Sequence, residues 1–126
     1  MRLMLDASFL IDHLRGDPAA ILRFADMLDD GDEPLVNMIG VCEVDTGLRP
    51  AEARRFAALL AAVEFVQAGP AAARDAGRWR LEARRSGNAL SIGDAIIAAE
   101  AHQSGAAVLT RNVRDFALTP VRIVTY

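Results

Sequence analysis

Short apolar segments alternate with segments that carry helix-start signals, and this alternation is the feature that most limits the fold of the chain. Strands separated by helices pair in parallel, and the helices then cover both faces of the sheet. The pattern predicts an α/β domain with a central parallel sheet of four to five strands flanked by helices on both faces. The strands are expected at Leu3–Leu5, Leu35–Ile39, Val63–Val66, Ala107–Leu109 and Val121–Val124.

Proline, capping residues and glycine mark the helix boundaries. Asp17-Pro18 supplies an N-cap and a proline at the first helical position, and Asp29-Asp30-Gly31 ends that helix. Gly40 is expected to cap a short helix that carries Glu43. Further helices are predicted from Pro50 to Ala62, from Pro70 to near Gly87, and from the Ser91 cap to Gly105, a left-handed stop.

Chain length and composition favour one well-packed unit. With 126 residues, of which 52% are hydrophobic and 25% charged, we expect a single domain over residues 1–126. The lone cysteine, Cys42, excludes an internal disulfide and agrees with a cytoplasmic location. Asp6 and Asp12 interrupt the apolar residues at the start of the sequence, so we expect no signal-peptide core there. The longest apolar run, Phe56–Val63, is shorter than the roughly 18 residues of a membrane span, and we expect no membrane association.

The net charge of −3 gives no support for nucleic-acid binding, which normally needs a basic surface. All 14 basic residues are arginines, however, and one segment holds five of them against two acids. A solvated helix face is the simplest interpretation of such a run. The segment contains Arg74, Arg78, Arg80, Arg84 and Arg85, opposed by Asp75 and Glu82.

Five polar side chains follow predicted strands or lie near the start of a predicted helix, at the edge where a parallel sheet gathers its ligands. Asp6 follows the first strand, Glu43 lies in the helix after the second, and Asp94 lies in the first turn of a later helix. Asn112 and Asp115 follow the fourth strand. Carboxylates gathered at one edge repel each other unless a cation neutralises them, and oxygen ligands suit Mg²⁺ or Mn²⁺. Such an ion activates water for attack on a phosphodiester.

Each of these acids also has a purely structural explanation. Asp6 and Asp115 fit turns, and Asp94 fits the N3 position of a capping box that begins at Ser91. Glu43 is expected at N3 of its own helix, where the helix dipole favours an anion, but a glycine cap cannot complete the box. The joint arrangement at one sheet edge is what favours a metal site.

Other kinds of site have weaker support. His13 and His102 have no histidine or cysteine partner at a zinc spacing. Cys42 has no evident base beside it and is expected to be a buried structural thiol. Trp79 on the arginine-rich segment is expected to pack in the core, with stacking on a nucleic-acid base as the alternative.

One alternative function is disfavoured by the sequence, and a second stays open. A receiver-like or phosphatase domain needs a second aspartate beside the first or a late lysine. This chain has Ala7 and Ser8 after Asp6 and no lysine at all. A non-enzymatic binding module, in which the acids serve only as caps, remains an alternative that metal titration distinguishes.

Four blocks in order resemble the PIN domain, and specifically the VapC toxins of bacterial VapBC pairs. The third block, an aspartate followed by AIIAA and then a TRNxxDF turn, is the most specific. The blocks are Leu3–Asp12, Leu35–Gly47, Ser91–Phe116 and the final VRIVTY.

The resemblance implies which residues form the site. The acidic positions of the family match Asp6, Glu43, Asp94 and Asp115 here, as catalytic residues and as ligands of Mg²⁺, with Mn²⁺ as an alternative. Asn112 matches a position where relatives carry Asn or Asp, so either Asn112 or Asp115 is the fourth site residue.

The resemblance also implies supporting residues, one departure and a function. Ser8 and Thr110 match polar neighbours of the first aspartate, whereas Gly40 replaces the usual hydroxyl residue of the second block. The implied activity is that of a metal-dependent endoribonuclease acting as a toxin, restrained by a VapB-like antitoxin that inserts a segment into the acidic groove. A homodimer is implied as well. A PIN nuclease devoted to RNA processing is the nearest alternative.

Overall fold

A computed structural model describes residues 1–126, and its centre is a five-stranded parallel sheet in the order β3-β2-β1-β4-β5. Leu3 of the central strand pairs with Pro34 on one side and with Ala107 on the other. The predicted parallel α/β architecture is therefore confirmed. The strands are β1 (Arg2–Leu5), β2 (Glu33–Asn37), β3 (Glu64–Val66), β4 (Ala107–Leu109) and β5 (Ile123–Val124).

Seven helices connect the strands, and the start signals at Asp17, Pro50, Pro70 and Ser91 lie where the sequence places them. Asp17 accepts a hydrogen bond from the backbone N–H of Ala20 at 3.0 Å, and Ser91 accepts one from Asp94 at 3.1 Å. The helices are α1 (Ala7–Leu14), α2 (Pro18–Asp29), α3 (Met38–Thr46), α4 (Pro50–Ala62), α5 (Pro70–Arg85), α6 (Ile92–Gln103) and α7 (Val113–Phe116). None of the helices has the length and apolar character needed to cross a membrane.

The sheet carries a hydrophobic core on each face, because successive side chains of a strand point to opposite sides. Met4 belongs to the core that α5 and α6 cover, whereas its neighbours Leu3 and Leu5 belong to the core beneath α1, α2 and α4. All three side chains are essentially fully buried. The sheet is thus the middle of three layers, and the loops at the carboxyl ends of its strands lie where parallel sheets bind ligands.

The second strand ends earlier than predicted, and the expected cap at Gly40 is wrong. β2 ends at Asn37, whose side chain accepts a 2.9 Å hydrogen bond from the Gly40 N–H and so begins α3. Ile39, expected in the strand, lies in the helix. Glu43 therefore lies in the second turn of α3 rather than at its N3 position. Helix capping does not explain why an acidic residue occurs there.

Two helices have no counterpart in the sequence-based prediction. Helix α1 begins directly after Asp6 without a side-chain cap, and α7 is a single turn that begins after Asn112 without one. Asp6 and Asn112 are residue types that cap helices, but neither side chain does so here, and both helices lack the initial proline that marks α2, α4 and α5. Their importance is positional, because each starts at a residue of the candidate site.

Candidate active site

Asp6 lies at the end of the central strand and is only 4% exposed. One of its carboxylate oxygens, Oδ2, accepts hydrogen bonds from the hydroxyls of Ser8 at 2.9 Å and Thr110 at 2.8 Å. Ser8 comes from α1, and Thr110 directly follows β4. The two hydroxyls thus hold the carboxylate between neighbouring strands, while its Oδ1 accepts no hydrogen bond from the chain.

Asp94 and Glu43 lie close enough to Asp6 for their charges to interact. The pKa of Asp94 is raised, first by burial and then by the carboxylates of Asp6 and Asp115. The pKa of Glu43 is also raised, by burial and then by Asp6 and Asp94. The structure therefore brings together all four acids that the sequence singled out, although they come from four separate segments.

Asn112 joins two of these acids rather than standing in for one of them. Its side-chain amide donates to Oδ2 of Asp115 at 2.8 Å and makes a longer contact with Oδ2 of Asp94 at 3.4 Å. Its backbone N–H donates to the Thr110 hydroxyl at 2.8 Å. Asn112 thus orients the carboxylates of Asp94 and Asp115, and both remain candidate ligands.

Gly93 makes room for Glu43, a relationship that the sequence analysis missed. A Cβ atom at Gly93 would lie 2.8 Å from Oε1 of Glu43 and 3.3 Å from Cγ2 of Ile39. The carboxylate of Glu43 therefore rests against the first turn of α6, which explains why burial raises its pKa although the residue is exposed. A contact between positions 50 residues apart leaves no signal in a single sequence.

A second polar cluster adjoins the site and was also not predicted. The Arg111 guanidinium donates to both oxygens of Asp12 at 2.8 and 2.6 Å, and the Tyr126 hydroxyl donates to Asp12 at 2.6 Å. Burial and this bond to the carboxylate raise the pKa of Tyr126. Because the Arg111 backbone N–H also donates to Ser8 at 3.2 Å, the cluster fixes the loop after β4 against α1.

The remaining candidates have structural roles, with one correction. Trp79 is buried and meets His102 edge to face, as core packing predicts. His13 lies between Phe9 and Phe24, far from any zinc-like arrangement. Cys42 was expected to be buried but is exposed, because α3 turns that side of the helix away from the sheet.

The donor set fits a hard divalent cation. Every one of the four carboxylates keeps at least one oxygen that accepts no hydrogen bond from the chain. No three Asp, Glu, His or Cys side chains converge closely enough to hold an ion as they stand. Mg²⁺ normally keeps several waters and binds through one or two carboxylates, so it does not need such a closed cage.

Comparison with known proteins gives the family. A family model for the PIN domain matches residues 3–120. Ribonuclease VapC19 of Mycobacterium tuberculosis is 32% identical over 117 residues, which are 93% of this chain and 94% of that protein. VapBC2 from Rickettsia felis, bound to a DNA fragment from its promoter, has a TM-score of 0.86 at 17% identity and covers 100% of this chain and 99% of its own. A toxin–antitoxin complex from Klebsiella pneumoniae has a TM-score of 0.79 at 25% identity, with coverage of 98% and 96%.

The PIN-domain model matches most of the chain, and the fold has acids at the ends of its sheet strands. The chain therefore belongs to the PIN-domain family. Within that family it groups with the VapC ribonucleases, the toxins of VapBC toxin–antitoxin pairs. The resemblance seen in the four sequence blocks is confirmed.

Proposed function

We propose that this protein is a metal-dependent endoribonuclease that acts as the toxin of a toxin–antitoxin pair. The observation that carries the proposal is the set of contacts that links the four acids. Asn112 donates to both Asp94 and Asp115 and, through its backbone N–H, to the Thr110 hydroxyl that donates to Asp6. Glu43 lies against Gly93, the neighbour of Asp94. Four unpaired carboxylates in one cleft are costly unless a cation neutralises them. The VapC relatives are consistent with RNA as the substrate.

Asp6 and Asp94 are the proposed direct ligands of Mg²⁺ or Mn²⁺, with Glu43 and Asp115 binding directly or through water. When bound, the ion supplies a water of lowered pKa and offsets charge on the phosphate oxygens. Ser8 and Thr110 hold the Asp6 carboxylate in one orientation, because both hydroxyls donate to its Oδ2. Loss of such an outer hydrogen bond typically lowers metal affinity or activity by about 10- to 100-fold.

The cleavage assay compares wild-type protein with Asp6→Asn on labelled single-stranded RNA, with Mg²⁺, Mn²⁺ or EDTA. We expect cleavage only by the wild type and only with a divalent ion. Asparagine keeps an oxygen for Ser8 and Thr110, so the melting temperature without metal should stay level or rise as repulsion falls.

Asp29→Asn is the matched control, because Asp29 is an exposed carboxylate on α2 with no partner in the chain. It should cleave RNA at the wild-type rate. Cleavage that persists in EDTA, or that survives Asp6→Asn undiminished, would show that the acids are not the catalytic apparatus. A non-enzymatic binding module would show no cleavage with either ion.

The proposal extends to a VapB-like antitoxin, a homodimer and a cytoplasmic location. The surface supports protein partners, because it displays several large apolar side chains. The largest cavity, about 580 Å³, contains none of the four site acids and is bordered by exposed Met38 and Phe65. Further exposed apolar side chains are Ile21, Leu22, Leu28, Leu81, Ile92 and Val113.

Light scattering at micromolar concentration and co-purification with the product of the adjacent gene test the partners. We expect a dimer, and an inhibitory complex in which a segment of the antitoxin occupies the acidic groove. A monomer with no inhibitor encoded beside it would contradict both expectations and would favour an RNA-processing role.

A further inference from the structure

A polar cavity of about 370 Å³ adjoins the acidic site on the side of α7. Asn112 and Asp115 border it, so the cavity begins where the candidate metal site ends. Its other lining residues are Arg114, Leu118 and the loop that follows α5, residues 87–89. Its volume falls within the range of cavities that bind small organic groups.

The loop wall offers hydrogen-bonding groups that the chain does not use. The Asn88 side-chain amide donates to the Ser86 carbonyl at 3.3 Å, which leaves the Asn88 Oδ1 free as an acceptor. The backbone N–H of Ala89 donates to no backbone carbonyl or side chain. Free acceptors and donors of this kind match the polar edge of a nucleobase, whose rings present both.

Positive charge continues outward from this cavity. A second cavity of about 200 Å³ shares Asn88 and Ala89 with the first and is bordered by Arg80 and Arg84. The Arg80 guanidinium donates to the Leu90 carbonyl at 3.0 Å. Arg84 and Arg114, both exposed, form no ion pair within the chain.

These observations describe a path from the acids to the basic end of α5. A polyanion that enters an acidic cleft is repelled unless cations lie beside it, and free arginines bind phosphate through paired N–H groups. We propose that the cavity binds the nucleotide next to the scissile phosphate of single-stranded RNA, and that Arg114 and Arg84 bind the flanking phosphates. This assignment rests on the ribonuclease function proposed above.

The first experiment measures binding rather than cleavage. Asp6→Asn protein with Mg²⁺ is titrated against a fluorescent single-stranded RNA of mixed sequence at several salt concentrations. Adding Arg114→Ala or Arg84→Ala should weaken binding about two- to fivefold, the range for an exposed ion pair. Each loss should also flatten the dependence of log K on log salt by about 0.7. Arg54→Ala, which removes an exposed and unpaired arginine on α4, should change neither quantity.

The second experiment fills the cavity without changing charge. Ala89→Trp, in an exposed loop, should raise KM for RNA about tenfold, leave the salt dependence unchanged and alter which nucleotide is accepted beside the cut. Ala25→Trp, at an exposed position on α2, is the size-matched control and should behave like the wild type. Melting temperatures of both variants establish that they fold.

The outcomes separate this proposal from the ribonuclease function. Wild-type cleavage combined with arginine and tryptophan variants that match their controls would overturn the nucleotide subsite and leave the nuclease intact. Arg114-dependent RNA binding without any cleavage by the wild type would refute the nuclease, and with it the position beside a scissile phosphate, while retaining RNA binding by the cavity and its arginines. Neither binding nor cleavage would refute both.

Discussion

Gly93→Ala tests whether the position of Glu43 matters for metal binding. The added methyl carbon would lie 2.8 Å from Oε1 of Glu43, closer than any tolerated contact. To reach ordinary contact at 3.4 Å, the carboxylate has to move by at least about 0.6 Å. The carboxylate is the free end of a flexible side chain, so it can swing away from α6 at little cost.

The expected changes in stability and in metal affinity therefore have different sizes. Alanine is favoured over glycine within helices by up to about 1 kcal/mol, which offsets the tighter 3.3 Å contact with Ile39. The free energy of unfolding should change by less than about 1 kcal/mol. Displacement of a ligand or its support typically lowers metal affinity by about 10- to 100-fold, and Mn²⁺ affinity should fall within that range.

Calorimetric titration with Mn²⁺, thermal unfolding and RNA cleavage measure the three effects on the same preparations. Gly77→Ala in α5 is the matched control, because a Cβ there would meet nothing within 4 Å. It should stabilise the protein by up to about 1 kcal/mol and leave Mn²⁺ affinity unchanged. In a Glu43→Ala background, Gly93→Ala should have no further effect on affinity, since it acts only through that carboxylate.

Two results would refute this reasoning. Wild-type Mn²⁺ affinity in Gly93→Ala would mean that the observed position of Glu43 is irrelevant to the ion. An equal further loss in the Glu43→Ala background would mean that the methyl group disturbs α6 itself, including Asp94, rather than its neighbour on α3.

Three further results are expected. Burial and mutual repulsion raise the pKa values of Glu43 and Asp94 above their ordinary 4.5 and 3.8, so the folded protein binds these protons more tightly than the unfolded chain. Stability without metal should therefore fall as pH rises from about 4 through the raised values, and Mg²⁺ should reduce the fall, as thermal unfolding across that range can establish. Tyr126→Phe should cost about 1.5 kcal/mol in urea unfolding, because it removes the hydrogen bond to the charged Asp12; an unchanged midpoint would contradict this. Asn37→Ala removes the cap of α3 and should cost about 2 kcal/mol, with faster amide exchange in that helix than in α5.

The sequence predicted the elements that begin with a local signal. Pro50–Ala62 and Ala107–Leu109 have the bounds expected for them, because proline and a short apolar run act on neighbouring residues only. Helix α1 was missed. Asp6 lies at its N-cap, but the carboxylate accepts hydrogen bonds from two hydroxyls and none from the backbone N–H groups of the helix. The cap of α3 was misplaced because Asn37 looked like the interior of a strand.

Placement of the site followed from topology, whereas its supporting contacts did not. The four acids could be anticipated because a parallel sheet brings the ends of its strands to one edge. Their ligand roles stay predictions. The bonds from Arg111 and Tyr126 to Asp12 span 99 and 114 residues, and the contact of Gly93 with Glu43 joins two separate helices. Such pairs depend on three-dimensional packing, which residue type and spacing do not encode.

The pairing of β1 with β4 has a consequence for a chain during synthesis. Residues 3–5 are synthesised about 100 residues before their partners, residues 107–109. Until then Asp6 lacks the hydroxyl of Thr110, and the chain lacks Asn112 and Asp115 altogether. A chain whose synthesis ends before residue 107 therefore has no assembled acidic cleft. The complete cleft exists only in chains elongated past residue 115.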